Sequence, residues 1–306
     1  MPPDIGKTSI ALVGPGRAGR AFARSWTASG GSIALVARDA GAARAFAREL
    51  PRAEVLALDD RLRLACDVLI LSVPDDAIST LARRLAPRVA CRFAFHFSGA
   101  LPSAELAPLS SGGTRIASMH PLRAFSGSGE DGWSGAFVAV EGEESAAKTA
   151  TRLCRQVGAR PHPLEAANKP LYHAAATLAA GGSGSLLSIA TRLWTRAGLA
   201  EDDGRAALAS LAAGAVEAVG RLPFDRALTG PVARRDVETV RIHREALTRL
   251  PEVLEVYALL ARETLNRTPG RGREEEIAAI LSKADESGGS PGRAIDEHSD
   301  NPARKG

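Results

Sequence analysis

The sequence has few aromatic residues and only a small net charge. Aromatic residues make up 4% of the 306 residues, and 39 lysines and arginines are nearly balanced by 35 aspartates and glutamates, which leaves a net charge of +4. We find no basic stripe interleaved with aromatic side chains, which argues against nucleic-acid binding. We also find no run of the ~18 apolar residues needed to span a bilayer, and therefore expect no membrane association.

Cysteine is scarce as well. Cys66, Cys91 and Cys154 follow neither a metal-binding spacing nor a pairing pattern. Such usage is typical of a reducing compartment, so we expect a cytoplasmic protein without a bound metal. No long apolar stretch precedes residue 9, which agrees with this expectation.

What the sequence does contain is a glycine-rich motif, Gly14-Pro15-Gly16-Arg17-Ala18-Gly19, between an apolar run at residues 9–13 and an amphipathic segment at 20–28. Between a buried strand and a helix, G-x-G-x-x-G is typical of a dinucleotide-binding turn. Gly14 permits the tight turn, Gly16 lets the backbone approach a pyrophosphate, and Gly19 lets the helix pack on the strand. Free N–H groups at the helix start would bind the phosphates. The alternative is a glycine-rich turn without a ligand.

The residues after the second predicted strand discriminate between NADP and NAD. That strand, residues 33–37, is followed by Arg38 and then Asp39. A guanidinium pairs with the 2′-phosphate of NADP, whereas an acidic residue favours the free ribose hydroxyls of NAD. We therefore predict NADP, with Arg17 as a second positive charge. Asp39 leaves NAD open as the alternative, and Arg38 as a solvated loop charge is another.

The pattern of elements predicts two domains and a tail. Strands and helices alternate over residues 8–165, which is typical of an α/β, Rossmann-like domain with a doubly wound, mostly parallel sheet. We expect eight strands, at residues 9–13, 33–37, 53–58, 68–73, 93–96, 115–119, 136–141 and 160–163. Residues 166–267 show only helical periodicity, with helices at 169–197, 203–222, 237–247 and 251–267, and would bind substrate and dimerise. From residue 268 the composition predicts a disordered tail, within which the sequence allows a short helix at 274–283.

Polar residues follow three of the predicted strands, where an open parallel sheet binds its ligands. His120 follows the sixth strand and would transfer a proton, because imidazole titrates near neutral pH. Ser98 follows the fifth strand and would bind a substrate oxygen or orient His120. A structural histidine and a turn hydroxyl are the alternatives. The backbone after the fourth strand would line the cofactor, at Ser72, Val73 and Pro74.

Two further positions lie in the predicted helical domain. Lys169 and His173 are one helical turn apart, so they share a face, where a cation and an imidazole can anchor a carboxylate and donate a proton. The alternative is an exposed lysine beside a packed histidine. A polar turn further along would contact substrate or a second subunit, or only cap a helix. Its residues are Thr229, Gly230, Pro231 and Arg234.

Four phrases of the sequence are distinctive: HFSGA from His96, SMHPL from Ser118, LYHAAA from Leu171 and ALTGPVAR from Ala227. Together, over residues 8–266, they resemble a bacterial family of oxidoreductases in which a Rossmann-like domain precedes a helical domain of unknown function. That family is similar in architecture to pyrroline-5-carboxylate reductase and the 6-phosphogluconate dehydrogenase-like group. The resemblance implies use of NADP or NAD and a homodimer formed through the helical domain.

Partial resemblances and departures accompany this family likeness. Ser98 and His120 are spaced like a serine and histidine of prephenate dehydrogenases, where the histidine acts on the substrate. Lys169 and His173 fall where hydroxyacid dehydrogenases of the wider group place a lysine and an asparagine. Gly181 or Gly182 stands where an asparagine is expected, and Arg234-Arg235-Asp236 replaces an expected Arg-Gly-Asp.

These observations lead to one prediction of function and one alternative. We predict an enzyme that transfers a hydride between nicotinamide and a carbonyl or imine carbon of a small, carboxylated substrate. The alternative is a regulator that binds NADP(H) without turnover. It needs the glycine motif but no acid–base residues.

Overall fold

A computed structural model of the chain describes residues 8–127 and 132–282. The chain divides into two compact units between Ser183 and Gly184. The boundary predicted from the sequence, between residues 165 and 166, lies earlier, where the last strand has ended and helical periodicity begins.

The first unit is built on an eight-stranded sheet. Its strands are β1 (Ile10–Val13), β2 (Ile33–Ala37), β3 (Ala53–Ala57), β4 (Leu64–Leu71), β5 (Val89–His96), β6 (Arg115–Leu122), β7 (Phe137–Gly142) and β8 (Arg160–Pro163). They lie in the order β3-β2-β1-β4-β5-β6-β7-β8, and of these neighbours only β6 and β7 are antiparallel. The strand order reverses between β1 and β4, the switch point at which open α/β sheets bind ligands. The predicted fold class is confirmed.

Helices cover both faces of this sheet. They are α1 (Arg17–Ala28), α2 (Ala40–Ala47), α3 (Asp75–Leu85), α4 (Ala107–Ser110) and α5 (Glu144–Gln156). Successive strand side chains point to opposite faces, so Leu12 enters one apolar layer and Val13 the other. Phe22 of α1 packs in the first layer and Ile78 of α3 in the second. Strands β1 and β2 are buried throughout, so the sheet is enclosed on both sides.

A long helical segment follows the sheet. Helix α6 (Lys169–Thr177) continues through a π-helical turn at Leu178–Gly182 into α7 (Ser183–Arg196), so the predicted helix over 169–197 is confirmed. Residues Ala166–Arg196 are long and apolar enough, by length and composition, to cross a membrane. The expectation that no segment reaches this length is therefore wrong, because alanine and glycine supply apolar character without an uninterrupted run of large side chains. One such helix is weak support for a membrane span.

The second unit is helical. Its further helices are α8 (Glu201–Arg221), α9 (Phe224–Ala227), α10 (Pro231–Arg234), α11 (Val237–Leu247), α12 (Pro251–Arg267) and α13 (Glu274–Ser282). Ile277 of α13 is buried against Val240 of α11 and Ala261 of α12. Helix α13 corresponds to the short helix that the sequence allows at 274–283, and the expected disorder does not hold for residues 274–282, because α13 has an apolar face to bury. Residues 283–306 of that prediction lie outside the described residues.

Arg235 holds the start of α13 in place. It stands where the family resemblance predicts glycine. Its φ is +61°, a left-handed backbone conformation that is unfavourable for residues other than glycine. Its buried guanidinium donates to the Val232 carbonyl and the Thr268 hydroxyl, both at 3.0 Å, and pairs with Glu274 at 2.9 Å. Asp236 accepts the Thr239 N–H at 3.1 Å, so at this position the turn caps α11.

Candidate functional site

Two glycines of the glycine-rich motif are required by packing within the chain. Gly14 has φ +74°, and a Cβ there would lie 2.5 Å from Cγ1 of Val73. A Cβ on Gly19 would lie 2.7 Å from Oγ of Ser72 and 3.3 Å from Leu12. The turn after β1, the start of α1 and the loop after β4 therefore pack tightly, and the Ser72 N–H donates to the Val13 carbonyl at 2.9 Å.

Gly16 differs from these two glycines. It is exposed, and the nearest atom to a Cβ built there is the Ser72 carbonyl oxygen at 3.8 Å. No neighbour among the described residues requires a glycine here, and the open space leaves room for a ligand to approach the backbone. Gly16 precedes α1, whose first turn has no acidic residue and no side-chain cap. The N–H groups of this turn, with Pro15, Arg17 and Ala18 around them, fit a pyrophosphate.

Arg38 and Asp39 have different surroundings at the end of β2. Arg38 is exposed. The Asp39 carboxylate accepts the Ala42 N–H at 2.9 Å and so caps α2. This cap occupies one oxygen of the carboxylate that would otherwise argue for NAD, whereas the Arg38 guanidinium faces solvent. Pro74, the last of the predicted loop residues, precedes α3.

The imidazole of His120 lies in a small aromatic cluster. His120 is in β6, opposite Ala139 of β7, and its Nδ1 hydrogen-bonds the Tyr172 hydroxyl at 2.9 Å. The rings of Tyr172 and His173 stand nearly perpendicular to it, with centroids 5.5 and 5.6 Å away. Burial lowers the pKa of His120 to about 4, and the nearby charges of His173 and Lys169 act in the same direction. His120 is therefore neutral at pH 7 and a weaker base than free imidazole, so the expectation that it titrates near neutral pH is wrong because the ring is buried.

Tyr172 was not among the predicted site residues, although it lies in the LYHAAA phrase. Burial raises the pKa of Tyr172 to about 12, so the phenol keeps its proton at neutral pH. The neutral imidazole carries one proton: with that proton on Nδ1 and donated to the Tyr172 oxygen, Nε2 is left free to accept a proton. Its signal in the sequence was a tyrosine directly before the histidine at a predicted helix start.

Gly99 brings the two imidazoles together. A Cβ at this position would lie 2.4 Å from Cδ2 of His173 and 2.8 Å from Nε2 of His120. The backbone after β5 thus runs directly against both rings. A side chain on residue 99 would displace them.

His120, Tyr172 and His173 line an open cavity of about 640 Å³. This volume is typical of sites for small molecules. Arg123 also lines it and donates one N–H to the Ser134 carbonyl at 2.9 Å, which leaves other N–H groups for a ligand. The remaining lining residues are Pro121, Leu122, Ala124, Ala175, Ala176, Thr177, Ala179, Ala180 and Gly181. The sequence reasoning missed Arg123, which follows the SMHPL phrase.

Lys169 does not line this cavity. Its side chain is 0% exposed, and its Nζ donates to the Ser98 carbonyl at 3.0 Å and to Oγ of Ser118 at 2.8 Å. Burial lowers the pKa of Lys169 to about 8. As the first residue of α6, it directs its side chain back towards the helix start and so into the α/β unit. Of the predicted pair, the structure brings only His173 to the cavity.

Ser98 is engaged by groups other than His120. Its hydroxyl donates to Oδ2 of Asp75 at 2.7 Å and accepts the Leu101 N–H at 2.9 Å. The hydrogen-bond partner of His120 is Tyr172. Ser98 therefore contributes to the site through the position of the backbone that leads to Gly99.

A buried network of hydrogen bonds supports the backbone at residues 98–99 through Lys169. Ser118, which receives the Lys169 ammonium, donates to Glu141 at 3.2 Å. Glu141 in turn accepts the N–H and the hydroxyl of Ser103, both at 2.7 Å. The network joins β6, β7, α6 and the segment after β5. Its members are far apart in sequence, so only the pairing of strands reveals it.

The polar turn predicted to contact substrate or a second subunit lies in the second unit. Thr229 and Arg234 are exposed there, Gly230 has φ +96°, and Pro231 begins α10. Contact of these residues with a substrate or a second subunit remains a prediction. Within residues 8–127 and 132–282 no group of three or more His, Cys, Asp or Glu side chains could hold a metal ion.

Comparisons with known proteins agree with this architecture. A Rossmann-like domain matches residues 4–121, and a domain of unknown function (DUF2520) matches residues 136–264. No curated protein matches the chain. Protein TM1727 from Thermotoga maritima has a similar structure, with a TM-score of 0.68 and 22% identity over 88% of this chain and 98% of that chain.

Two further solved structures are similar. BF3122 from Bacteroides fragilis, named as a candidate NADP oxidoreductase, gives a TM-score of 0.70 and 20% identity over 86% of this chain and 100% of that one. Pyrroline carboxylate reductase from Plasmodium falciparum, with NADP bound, gives a TM-score of 0.56 and 11% identity over 90% of this chain and 99% of that chain. At such identities the likeness establishes the fold. The chain thus joins a Rossmann-like domain to a DUF2520 domain, the architecture that its four phrases predict.

Proposed function

We propose that this protein is an NADP-dependent oxidoreductase that transfers a hydride between nicotinamide and a carbonyl or imine carbon of a small, carboxylated substrate. The observation that carries the proposal is Gly16: it is exposed at the switch point of the sheet, and no neighbour among the described residues requires the absence of a side chain. The similar structures from Bacteroides fragilis and Plasmodium falciparum, one named for NADP and one holding it, agree with this proposal.

The proposed cofactor site lies at the carboxyl ends of β1, β2 and β4. The turn around Gly16 would hold the pyrophosphate, and the exposed Arg38 would pair with the 2′-phosphate. Asp39 caps α2 through one carboxylate oxygen, and its other oxygen is the feature that would suit NAD instead. When bound, the nicotinamide would supply or accept the hydride. The full set of proposed cofactor residues is Gly14, Pro15, Gly16, Arg17, Ala18, Gly19, Arg38, Ser72, Val73 and Pro74.

The proposed substrate site is the cavity beside His120. Strands β1 and β6 are three places apart in the sheet, about 14 Å at ~4.8 Å per strand, so both sites lie along one edge. The neutral His120 would take a proton from the substrate hydroxyl or amine during oxidation and return it during reduction. Tyr172 would fix the ring through Nδ1. His173 and Arg123 would bind the substrate, with Arg123 the natural partner of a carboxylate.

Ser98 and Lys169 have a different part in this proposal. Both are buried, and both hold the backbone that runs against the two imidazoles at Gly99. They would position the site rather than contact the substrate. Such placement matters because small displacements of catalytic groups reduce rates strongly.

We also propose a cytoplasmic homodimer formed through the helical region. The segments α6 to α8 expose large apolar side chains, among them Leu171 at 77%, Leu178 at 75% and Leu211 at 72%. A second copy of the chain would cover these side chains, and the turn from Thr229 to Arg234 would contribute to that contact or to the substrate. The apolar helix over residues 166–196 would then face a second subunit instead of lipid.

The experiment that tests the proposed activity is a screen of keto acids and cyclic imino acids, with NADPH oxidation as the measurement. For a substrate so found, His120→Ala should reduce turnover about 10²–10⁴-fold, because that is the usual contribution of a proton-transfer group. NADPH affinity should change little. His243→Ala is the matched control, since His243 also bonds a tyrosine hydroxyl, that of Tyr257, at 3.0 Å in the second unit.

Other outcomes would favour a different function. If a broad panel contains no substrate while NADPH binds tightly and alters association with another protein, the chain is a regulator. If His243→Ala reduces turnover as much as His120→Ala, the proton-transfer role of His120 is wrong.

A further inference from the structure

Two cysteines that are distant in sequence meet in the sheet. Cys66 of β4 lies directly opposite Cys91 of β5 in the parallel register, so their side chains share one face. Neighbouring strands lie about 4.8 Å apart, within the Cα separations of roughly 4.4–6.8 Å at which disulfides form. The sequence shows no pairing pattern because α3 separates the two strands.

The pair is accessible and separate from the candidate functional site. Both cysteines are half-buried and line one open cavity of about 490 Å³. They lie five residues before the last residues of their strands, Leu71 and His96, which is about 17 Å from the carboxyl edge. Cys154, in contrast, is fully buried on the opposite face of the sheet.

The two thiols are not equivalent. A hydrogen bond from Cys66 lowers the pKa of Cys91, and the Thr114 hydroxyl, 3.7 Å from Sγ of Cys91, adds to this effect. The same contact with Cys91, together with burial and the charge of Asp67, raises the pKa of Cys66. Of the two thiols, Cys91 therefore loses its proton first and Cys66 keeps its proton longer. An attacking thiolate beside a protonated partner is typical of redox-active dithiols.

We propose that Cys66 and Cys91 form a redox-active dithiol that low-molecular-weight disulfides oxidise reversibly to an intramolecular disulfide. The Cys91 thiolate attacks one sulfur of the small disulfide, breaks its S–S bond and expels one thiolate. The mixed disulfide removes the negative charge from Cys91, so the Cys66 thiol loses its proton more readily. Cys66 then attacks Sγ of Cys91 and expels the second thiolate. Two electrons and two protons leave the protein, and one small disulfide becomes two thiols.

The test uses the full-length protein and bis(2-hydroxyethyl) disulfide. Wild-type protein should lose two of its three free thiols, and its mass should fall by that of two hydrogen atoms. Peptide mapping should find Cys66 linked to Cys91. Dithiothreitol should restore both thiols. Cys154→Ser, the control, should form the same bond. Cys66→Ser should stop at a mixed disulfide on Cys91, because no partner thiol is left to resolve it.

Several outcomes would overturn the proposal. Three free thiols remaining in the wild-type protein, a mixed disulfide without the Cys66–Cys91 bond, or a bond to Cys154 or to another chain would each do so. The wild-type measurement decides the question even if a serine variant fails to fold. Because the pair lies far from the candidate site, NADPH binding need not be known for any of these results.

Discussion

The two units of this molecule enclose their apolar surface to different degrees. In the α/β unit, β1 and β2 are buried at every residue. In the helical unit, α8 extends over 21 residues and buries one of them, Gly204. Among the described residues, Leu122 is the one strongly exposed large apolar side chain before residue 166, whereas eleven follow it. The sheet and the helices that cover it are enclosed, whereas the helices from α6 onward, of which α6 still belongs to the first unit, expose large apolar side chains.

This difference indicates where function and assembly reside. Each buried leucine contributes about 1.5–3 kcal/mol, so covering the exposed leucines of α6 to α8 would stabilise an association strongly. The enclosed unit holds the glycine turn and the His120 cavity, whose geometry is fixed by packing. The predictions below test this contrast, beginning with the largest expected effect.

The largest effect should come from a side chain on Gly16. Gly16→Val should abolish the stabilisation by NADPH, about 2.7 kcal/mol at 100 times Kd, because the side chain takes the place of the pyrophosphate. The ligand-free protein should keep its melting temperature, since the position is open. Calorimetric melting with and without NADPH measures both quantities.

Gly19→Val is the matched variant within the same motif. Its side chain would collide with Ser72 and Leu12, so the ligand-free protein should lose about 1–3 kcal/mol of unfolding free energy. Equal loss of stability in both variants would contradict the distinction between a ligand glycine and a packing glycine.

A pH effect should reveal the buried Lys169, the residue through which α6 is anchored in the α/β unit. Its pKa is about 8 in the folded protein, below the ordinary 10.5, so the unfolded chain binds more protons between these values. The stability of the wild-type protein relative to Lys169→Met should therefore rise by about 3 kcal/mol from pH 8 to 10.5. Urea unfolding at several pH values measures this difference.

The control for this experiment is Lys148→Met, whose native side chain is 72% exposed. Its stability difference from the wild-type protein should stay nearly constant over the same pH range. A constant difference for Lys169→Met as well would mean that the ammonium is hydrated in solution.

A charge on the exposed helices should test whether a second copy covers the apolar surface that distinguishes them from the enclosed sheet. Leu178→Lys and Leu211→Lys should each convert a dimer into a monomer at micromolar concentration, because the partner surface would have to desolvate an ammonium. Light scattering measures the mass. Thr80→Lys, on the exposed face of α3, should leave it unchanged. A wild-type monomer would contradict the proposed dimer.

The smallest effect concerns the exposed Arg38. Arg38→Asp should reduce the preference for NADPH over NADH by about tenfold or more, since a hydrogen bond to a charged group contributes about 1.5–3 kcal/mol. Binding titrations with both cofactors measure the preference. Arg48→Asp makes the same charge change at the other end of α2 and should leave the preference intact. Equal affinities of the wild-type protein for both cofactors would remove the assignment of Arg38.

Much of the fold could be predicted from the sequence because its elements depend on local periodicity. Helices α11 and α12 begin and end where the sequence predicts, as do strands β2 and β8. The glycine motif marked the switch point before the strand order was known. Prediction of the site was less complete. His120 and His173 line one cavity, whereas Lys169 and Ser98 are enclosed behind it.

The sequence alone determined the order and type of the elements, the glycine-rich turn and the Rossmann-like class, because each follows from residues within about 20 positions of one another. Tertiary structure decided which distant side chains meet. The bond between His120 and Tyr172, the burial of Lys169 against Ser118, and the pairing of Cys66 with Cys91 all depend on strand register and helix docking. A one-residue shift in register turns every strand side chain to the other face, and local sequence patterns do not fix that register.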